Sequence, residues 1–266
     1  SLSSFLHMIF NDLFLNKNMK FERFDCIAGA VQKLVERLTC EWVEKAIKKT
    51  GIRNIALSGG VFMNVKAAME ISRLPEVESL FVMPSAGDES NPIGCCFYGY
   101  KLFCSKNKTK FEPQQLTHLY LGPEYDDEYI KALIREKSLD KNYKISKLKN
   151  INKKIAKLLV NGEIVARCSG KSEWGARALG NRSILANPIN KDTIRILNET
   201  IKDRDFWMPF TPSILDSFEK KYIINPKKIF APYMAITFDS TGLAKEHLTA
   251  AMHPYDFTIR PQIVTK

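Results

Sequence analysis

The sequence predicts an α/β protein built from two domains. Between residues 24 and 104, apolar runs of helical period alternate with short buried runs of strand length, the pattern of neighbouring parallel strands joined by helices. The segment FEPQQLTHLYLGPEYDD, residues 111–127, is rich in turn formers and changes composition, so it marks a boundary. A chain of 266 residues that is 45% hydrophobic and 26% charged can fill one large core or two modest ones. Those figures exclude a disordered chain, a collagen-like chain and a small disulfide scaffold.

Each element follows from local pattern. Ile27, Val31, Leu34, Leu38, Trp42 and Ile47 recur at helical spacing and Gly51 follows as a C-cap, which predicts a long amphipathic helix over 24–48. RNIAL (53–57) is a buried strand, Ser58-Gly59-Gly60 a tight turn, and 61–73 a helix. SLFVM (79–83) is a second strand, 84–90 a loop, and 92–104 an apolar helix. Beyond the boundary, 126–137, 151–161 and 191–201 read as helices, and 163–168, 232–238 and 257–264 as strands. The resulting division is 1–110, a linker at 111–125, and 126–266. The chain opens on Ser1, and FTIRPQIVTK reads as a strand stopped in mid-fold, so both ends are expected to be cuts in a longer chain. The opening SLSSFLHMIFNDLF has no basic start and contains Asp12, which argues against a signal peptide.

Charge narrows the partners. Forty basic against 29 acidic residues give a net charge of +11, densest from Arg135 to Lys157. Only Tyr143 interrupts those lysines, so they lack the interleaved aromatics of a nucleic-acid groove and read first as a solvated face. No apolar run reaches the roughly 18 residues of a membrane span. The six cysteines show no CxxC spacing, which fits reduced thiols and a cytoplasmic setting. The four histidines form no HExxH pair.

Two regions carry chemistry. Ser58-Gly59-Gly60 lies between a strand and a helix, where glycines let backbone N–H groups approach an anion; a plain tight turn has the same sequence. Asn64 either faces the same ligand or sits on the helix surface, and Asp88, past the next strand, either joins that crevice or caps the following helix. The second region, SGKSEWGARALGNRS (169–183), packs Lys171, Arg177 and Arg182 among three glycines, a composition suited to gripping phosphate. Trp174 is either a stacking platform or a core residue. Farther on, Lys202 and Arg204 precede a proline-rich turn, and Thr258, Arg260 and Gln262 alternate along one strand face near His253 and Asp256.

The motifs SGGVFMN and VMPSAGDESNPIGCCFYG, followed in order by SGKSEWGARALGNRSILANP, RDFWMPFTPSIL and HPYDFTIRPQIV, resemble those of the O-carbamoyltransferases of nodulation and antibiotic biosynthesis. The resemblance covers about residues 20–105 and 160–264. It implies the second half of an actin/Hsp70-like ATPase domain followed by a YrdC-like domain. It implies that ATP and carbamoyl phosphate yield a carbamoyladenylate, whose carbamoyl group passes to a hydroxyl or amine of a small-molecule acceptor. On that footing Gly59, Gly60, Asn64, Ser183 and Arg260 bind nucleotide, and Lys171, Arg177, Arg182 and Arg204 act on the phosphates. Asp88 becomes a ligand of a divalent metal, of iron type or Mg, and His253 matches a family histidine without an assigned role. Ser169, Lys171, Ala176 and Asn187 depart from the family's Gln, Arg, Pro and Asp. Two other readings remain open: a relative of the tRNA threonylcarbamoylation enzymes, and a nucleotide-binding fragment without catalysis. Neither a membrane nor a nucleic acid is favoured as partner, and a homodimer is compatible with the sequence.

Overall fold

The computed structural model describes residues 21–205 and 208–265; the opening apolar stretch, and Phe206 and Trp207 of the fourth motif, lie outside them. The first periodic run forms α1, Phe24–Thr50. Gly51 ends it in the left-handed region, at φ 72°, donating its N–H to the Ile47 carbonyl at 2.8 Å. The described neighbours cover one edge of α1, burying Val43 and Ile47, while Leu34, Leu38 and Trp42 stay exposed. Strand β1, Asn54–Leu57, pairs in parallel with β2, Ser79–Val82, in the register Asn54↔Ser79 to Leu57↔Val82. Between them run a short 3-10 turn, Gly60–Met63, and α2, Val65–Arg73. After β2, the turn Asp88–Ser90 leads into α3, Asn91–Lys106. The alternation of strand and helix expected for this half is present.

The lysine-rich middle forms α4, Asp127–Glu136, and α5, Ile151–Val160, neither of which buries a residue. Lys147 reaches back to Asp127, Lys131 to Glu128 and Lys137 to Glu136, as expected of a solvated face. Strand β3, Val165–Cys168, then pairs antiparallel with β4, Arg182–Leu185. The helix expected over 191–201 is α6, Asp192–Ile196, continuing as a π-helical turn, Leu197–Lys202, that ends at Asp203 with φ 46°. The last stretch carries β5, Ser213–Leu215; α7, Glu219–Tyr222; β6, Ile223–Ile224; β7, Asp239–Ser240; α8, Gly242–His247; and β8, Gln262–Val264. β5 and β8 pair in parallel, β6 and β7 antiparallel.

Two expected strands are corrected. Residues 232–238 do not form a continuous strand: Met234 sits at φ 58°, and only Phe238 pairs, in a bridge to Ile259. Residues 257–264 are broken likewise by Phe257 at φ 57° and by Pro261, leaving the Ile259 bridge and then β8. A left-handed residue turns the chain off the pleat, and proline has no N–H to give the ladder.

The main core ignores the composition break at 111–125. Leu57, Met69, Ile71, Val77, Leu80 and Val82 belong to one buried cluster with Ile214, Ile223, Ile236, Phe238, Ile259 and Ile263. A smaller cluster of Leu119, Leu179 and Tyr233 packs with Leu116, Tyr120 and Trp174, so the segment read as a linker contributes buried side chains. Polar ties join the same two stretches. Lys66 on α2 meets Asp256 at 2.7 Å, and Lys227 donates to the carbonyls of Leu74 and Val77 in the turn between α2 and β2.

Asp256 also accepts from the backbone and hydroxyl of Thr258 at 3.0 and 2.8 Å and lies 3.1 Å from His253 Nδ1. Burial alone would raise its carboxyl, but Lys66 and Thr258 outweigh that and hold it down, from 3.8 to about 2. A depressed carboxyl contributes its stabilisation fully above 3.8 and loses it as pH falls through about 2. Urea unfolding from about pH 6 downward should therefore show Asp256→Asn less stable at the upper end and converging on wild type near pH 2. A constant difference across that window would contradict this role of Asp256.

Candidate functional site

Three loops meet where the two stretches of chain join. The Gly59 N–H donates to the Ala86 carbonyl at 2.8 Å, fastening the Ser58–Gly60 turn to the loop after β2. Ser85 is buried in that loop; its hydroxyl donates to Glu89 and accepts from the Ala176 N–H at 3.1 Å. Gly175 makes the approach feasible. Its φ is 104°, and a Cβ built on it would stand 3.1 Å from the Ser85 Cβ. The loop carrying Arg177 is thus seated directly on the loop carrying Asp88.

Residues 169–183 are organised by backbone-directed bonds. Trp174 N donates to the Leu119 carbonyl at 2.7 Å, while Gly122 N donates to the Ser172 carbonyl and Ser172 N to the Pro123 carbonyl, each at 3.0 Å. Tyr120 OH and Gln262 Nε2 both donate to the Leu179 carbonyl, at 3.0 and 2.8 Å. Glu173 Oε1 accepts from the N–H groups of Leu179, Asn181 and Arg182. Burial opposes the Glu173 charge, but these bonds prevail and hold its carboxyl below the usual range.

Arg177 and Arg204 lie near enough to Arg260 for their charges to act on it. Arg260 is largely buried, and its Nε and Nη2 donate to Thr211 Oγ1 at 3.2 and 3.0 Å. Burial, then the positive charges of Arg177 and Arg204, push its guanidinium down to about 10, which leaves it charged at neutral pH. Arg204 is lowered by burial too; it donates to Asn198 Oδ1 at 2.6 Å and lies 4.4 Å from the centre of the Phe210 ring. None of the three is paired with a carboxylate among the described residues. Arg177 and Arg260 are half-buried and Arg204 is exposed, and positive charges so placed without counter-charge favour an anion.

The other candidates have different places. Arg182 Nη1 donates to the carbonyls of Ser169, Gly170 and Asn181 at 3.3, 3.2 and 3.1 Å, so it ties the loop's ends together. Lys171 is exposed, and its carbonyl accepts from Asn181 Nδ2. Ser183 Oγ accepts from the Gly180 N–H at 2.9 Å. Asn64 is the N-cap of α2, accepting from Ala67 N at 3.1 Å, and its amide pairs on both sides with Gln32, so cap and helix contact occupy the side chain expected to face a ligand. Gly60 opens a single 3-10 turn with open space beside it. Trp174 is half-buried and packs on the smaller core cluster. His253 pairs with Asp256.

Asp88 caps no helix; it is exposed in the first turn after Gly87. One carboxylate does not make a metal centre, and among the described residues no group of three or more His, Cys, Asp or Glu side chains converges on a point. The described residues therefore do not by themselves fit the divalent metal that the motif resemblance implies. Among them, too, no helix is long and apolar enough to cross a membrane, and all six cysteines are unpaired.

Sequence reasoning missed Glu173, Ser85 and Thr211. The signal for Glu173 was a lone acid amid cations; Ser85 and Thr211 carry no signal short of the fold.

Comparison with known proteins matches two stretches of the chain to family models. The model described as carbamoyltransferase N-terminus matches residues 2–97, and that described as carbamoyltransferase C-terminus matches 156–266. An uncharacterised protein of Methanocaldococcus jannaschii is 31% identical over 251 residues, 93% of this chain and 46% of its own length. Nodulation protein NolNO of Sinorhizobium fredii is 28% identical over 257 residues, 94% of this chain and 36% of its own. Nodulation protein NolO of Bradyrhizobium diazoefficiens is 27% identical over 242 residues, 90% of this chain and 43% of its own. The chain spans less than half the length of these relatives.

The loop contact yields a paired prediction. Gly175→Ala should cost about 1–3 kcal/mol in denaturant unfolding, because its φ of 104° strains any side chain and Ser85 occupies the space. Gly60→Ala should stay within about 0.5 kcal/mol, since nothing lies within 4 Å of its added Cβ. Equal effects would contradict the seating of Gly175 on Ser85.

Proposed function

The chain belongs to the carbamoyltransferase family, whose N- and C-terminal models together match most of it, and on that premise we propose that it forms part of an ATP-dependent carbamoyltransferase. Carbamoyl phosphate and ATP are the co-substrates, a carbamoyladenylate is the activated species, and a small hydroxylated or amine compound is the acceptor. The first stretch then belongs to an actin/Hsp70-like ATPase domain and the second to a YrdC-like domain. The setting is cytoplasmic.

The observation that carries this reading is the trio Arg177, Arg204 and Arg260, of which Arg177 and Arg260 are half-buried, and which has no carboxylate partner among the described residues. Their mutual repulsion is relieved when an anion enters. Phosphate esters suit the trio because guanidinium forks meet phosphate oxygens in pairs, each charge-assisted bond contributing roughly 1.5–3 kcal/mol. Arg260 keeps Nη1 available, since Thr211 takes only Nε and Nη2. In this scheme the trio neutralises phosphate oxygens as charge builds during transfer, without rearranging to do so. The neighbouring loop, Ser85–Ser90, lies within one hydrogen bond of Ala176, so the product of the cationic centre emerges beside the first stretch.

Carbamoyl-phosphate-dependent ATP turnover by the intact protein tests the reading. Arg177→Ala and Arg260→Ala should each lower it about 100-fold or more. Arg182→Lys, which keeps a donor for the loop carbonyls, should lower it less. Undiminished turnover in both alanine variants would overturn the assignment. Salt-sensitive tRNA binding that outlives loss of the trio would point to the threonylcarbamoylation relatives instead.

A further inference from the structure

Arg177 lies inside a segment whose two ends are drawn together by one carboxylate. Glu173 Oε1 accepts from Leu179 N at 3.0 Å, Asn181 N at 2.7 Å and Arg182 N at 3.0 Å. The chain between reverses at Gly175 and Gly180, both at positive φ (104° and 113°). A carboxylate in a loop that also carries Arg177 and Arg182 has an obvious alternative, which is to pair with one of them. It does not: Glu173 forms no ion pair among the described residues, and Arg177 is left with no carboxylate partner.

Three converging N–H donors account for that choice. They satisfy the negative charge with neutral dipoles, and they hold the far side of the loop at fixed distance from residue 173. The remaining fixed points follow from this closure. Leu179 is buried, and its carbonyl takes Tyr120 OH and Gln262 Nε2. Ala176, next to Arg177, is held by Ser85.

We propose that Glu173 is a positioning residue for anion capture: by binding the amides of Leu179, Asn181 and Arg182 instead of an arginine, it sets the loop that presents Arg177 and leaves that guanidinium available to a phosphate group. The inference rests on the reading of the arginine trio as an anion site. Glutamine at 173 keeps an acceptor of the same reach but no charge, so the closure weakens; alanine leaves three N–H groups without an acceptor.

Calorimetric titration of the intact protein with inorganic phosphate and with carbamoyl phosphate tests it. Glu173→Ala should weaken binding about ten-fold or more, and Glu173→Gln by a smaller factor. In an Arg177→Ala background, Glu173→Gln should cause no further loss, because its effect passes through Arg177. Thermal unfolding identifies whether Glu173→Ala is folded; if it is not, Glu173→Gln and the double variant carry the test. Wild-type affinity in Glu173→Gln and in folded Glu173→Ala would overturn the proposal. So would an equal loss in both backgrounds, which would mark Glu173 as a support of the fold alone. Equal phosphate binding by wild type and Arg177→Ala would instead sink the anion-site reading, and this inference with it.

Discussion

Ile71, Val77 and Leu80 on one side of the sequence and Ile214, Ile236 and Ile259 on the other share one buried cluster, and the arrangement of the site depends on that burial. Three guanidiniums repel one another, and half-burying Arg177 and Arg260 costs free energy that they do not recover among themselves. Apolar burial between distant stretches of chain is what offsets it. Arg177 comes from the loop after β3, Arg204 from the turn after α6, and Arg260 from just before β8. Only a shared core brings such separated positions to one place.

Around that core, polar groups act locally and each has a geometrical task. Lys66 and Asp256 clamp α2 to the turn before β8. Ser85 and Gly175 seat one loop on another. Arg182 and Glu173 close the loop from its two ends through backbone groups. Charged side chains thus fall into two kinds. Those bound to backbone carbonyls and amides hold shape; those lacking such satisfaction, above all Arg177, are available to a ligand. Composition does not distinguish the kinds, since Arg177 and Arg182 stand five positions apart in one cationic loop.

The elements legible in the sequence were those with long local periodicity. α1, β1, α2, β2, α3, α4 and α5 all lie where pattern puts them, within a few residues. Residues 232–238 and 257–264 were misread because apolar, β-branched stretches also line cores in irregular conformations. There, single left-handed residues, Met234 and Phe257, are set by packing rather than by local preference. Asn64, which the sequence leaves either facing a ligand or lying on the helix surface, caps α2, because an asparagine before an apolar run suits either task.

By itself the sequence determined the alternation of helices and strands in the first half, the solvated lysine face, and the cationic loop whose motifs run in a carbamoyltransferase's order. These rest on nearest-neighbour periodicity and on residue chemistry, which are written in the chain. The tertiary structure alone decided which cations meet, that Arg182 serves the loop while Arg177, Arg204 and Arg260 form the trio, and that Glu173 faces amides. Those outcomes depend on distances between positions tens of residues apart. Such distances follow from how the two stretches bury their apolar faces together, which no local pattern records.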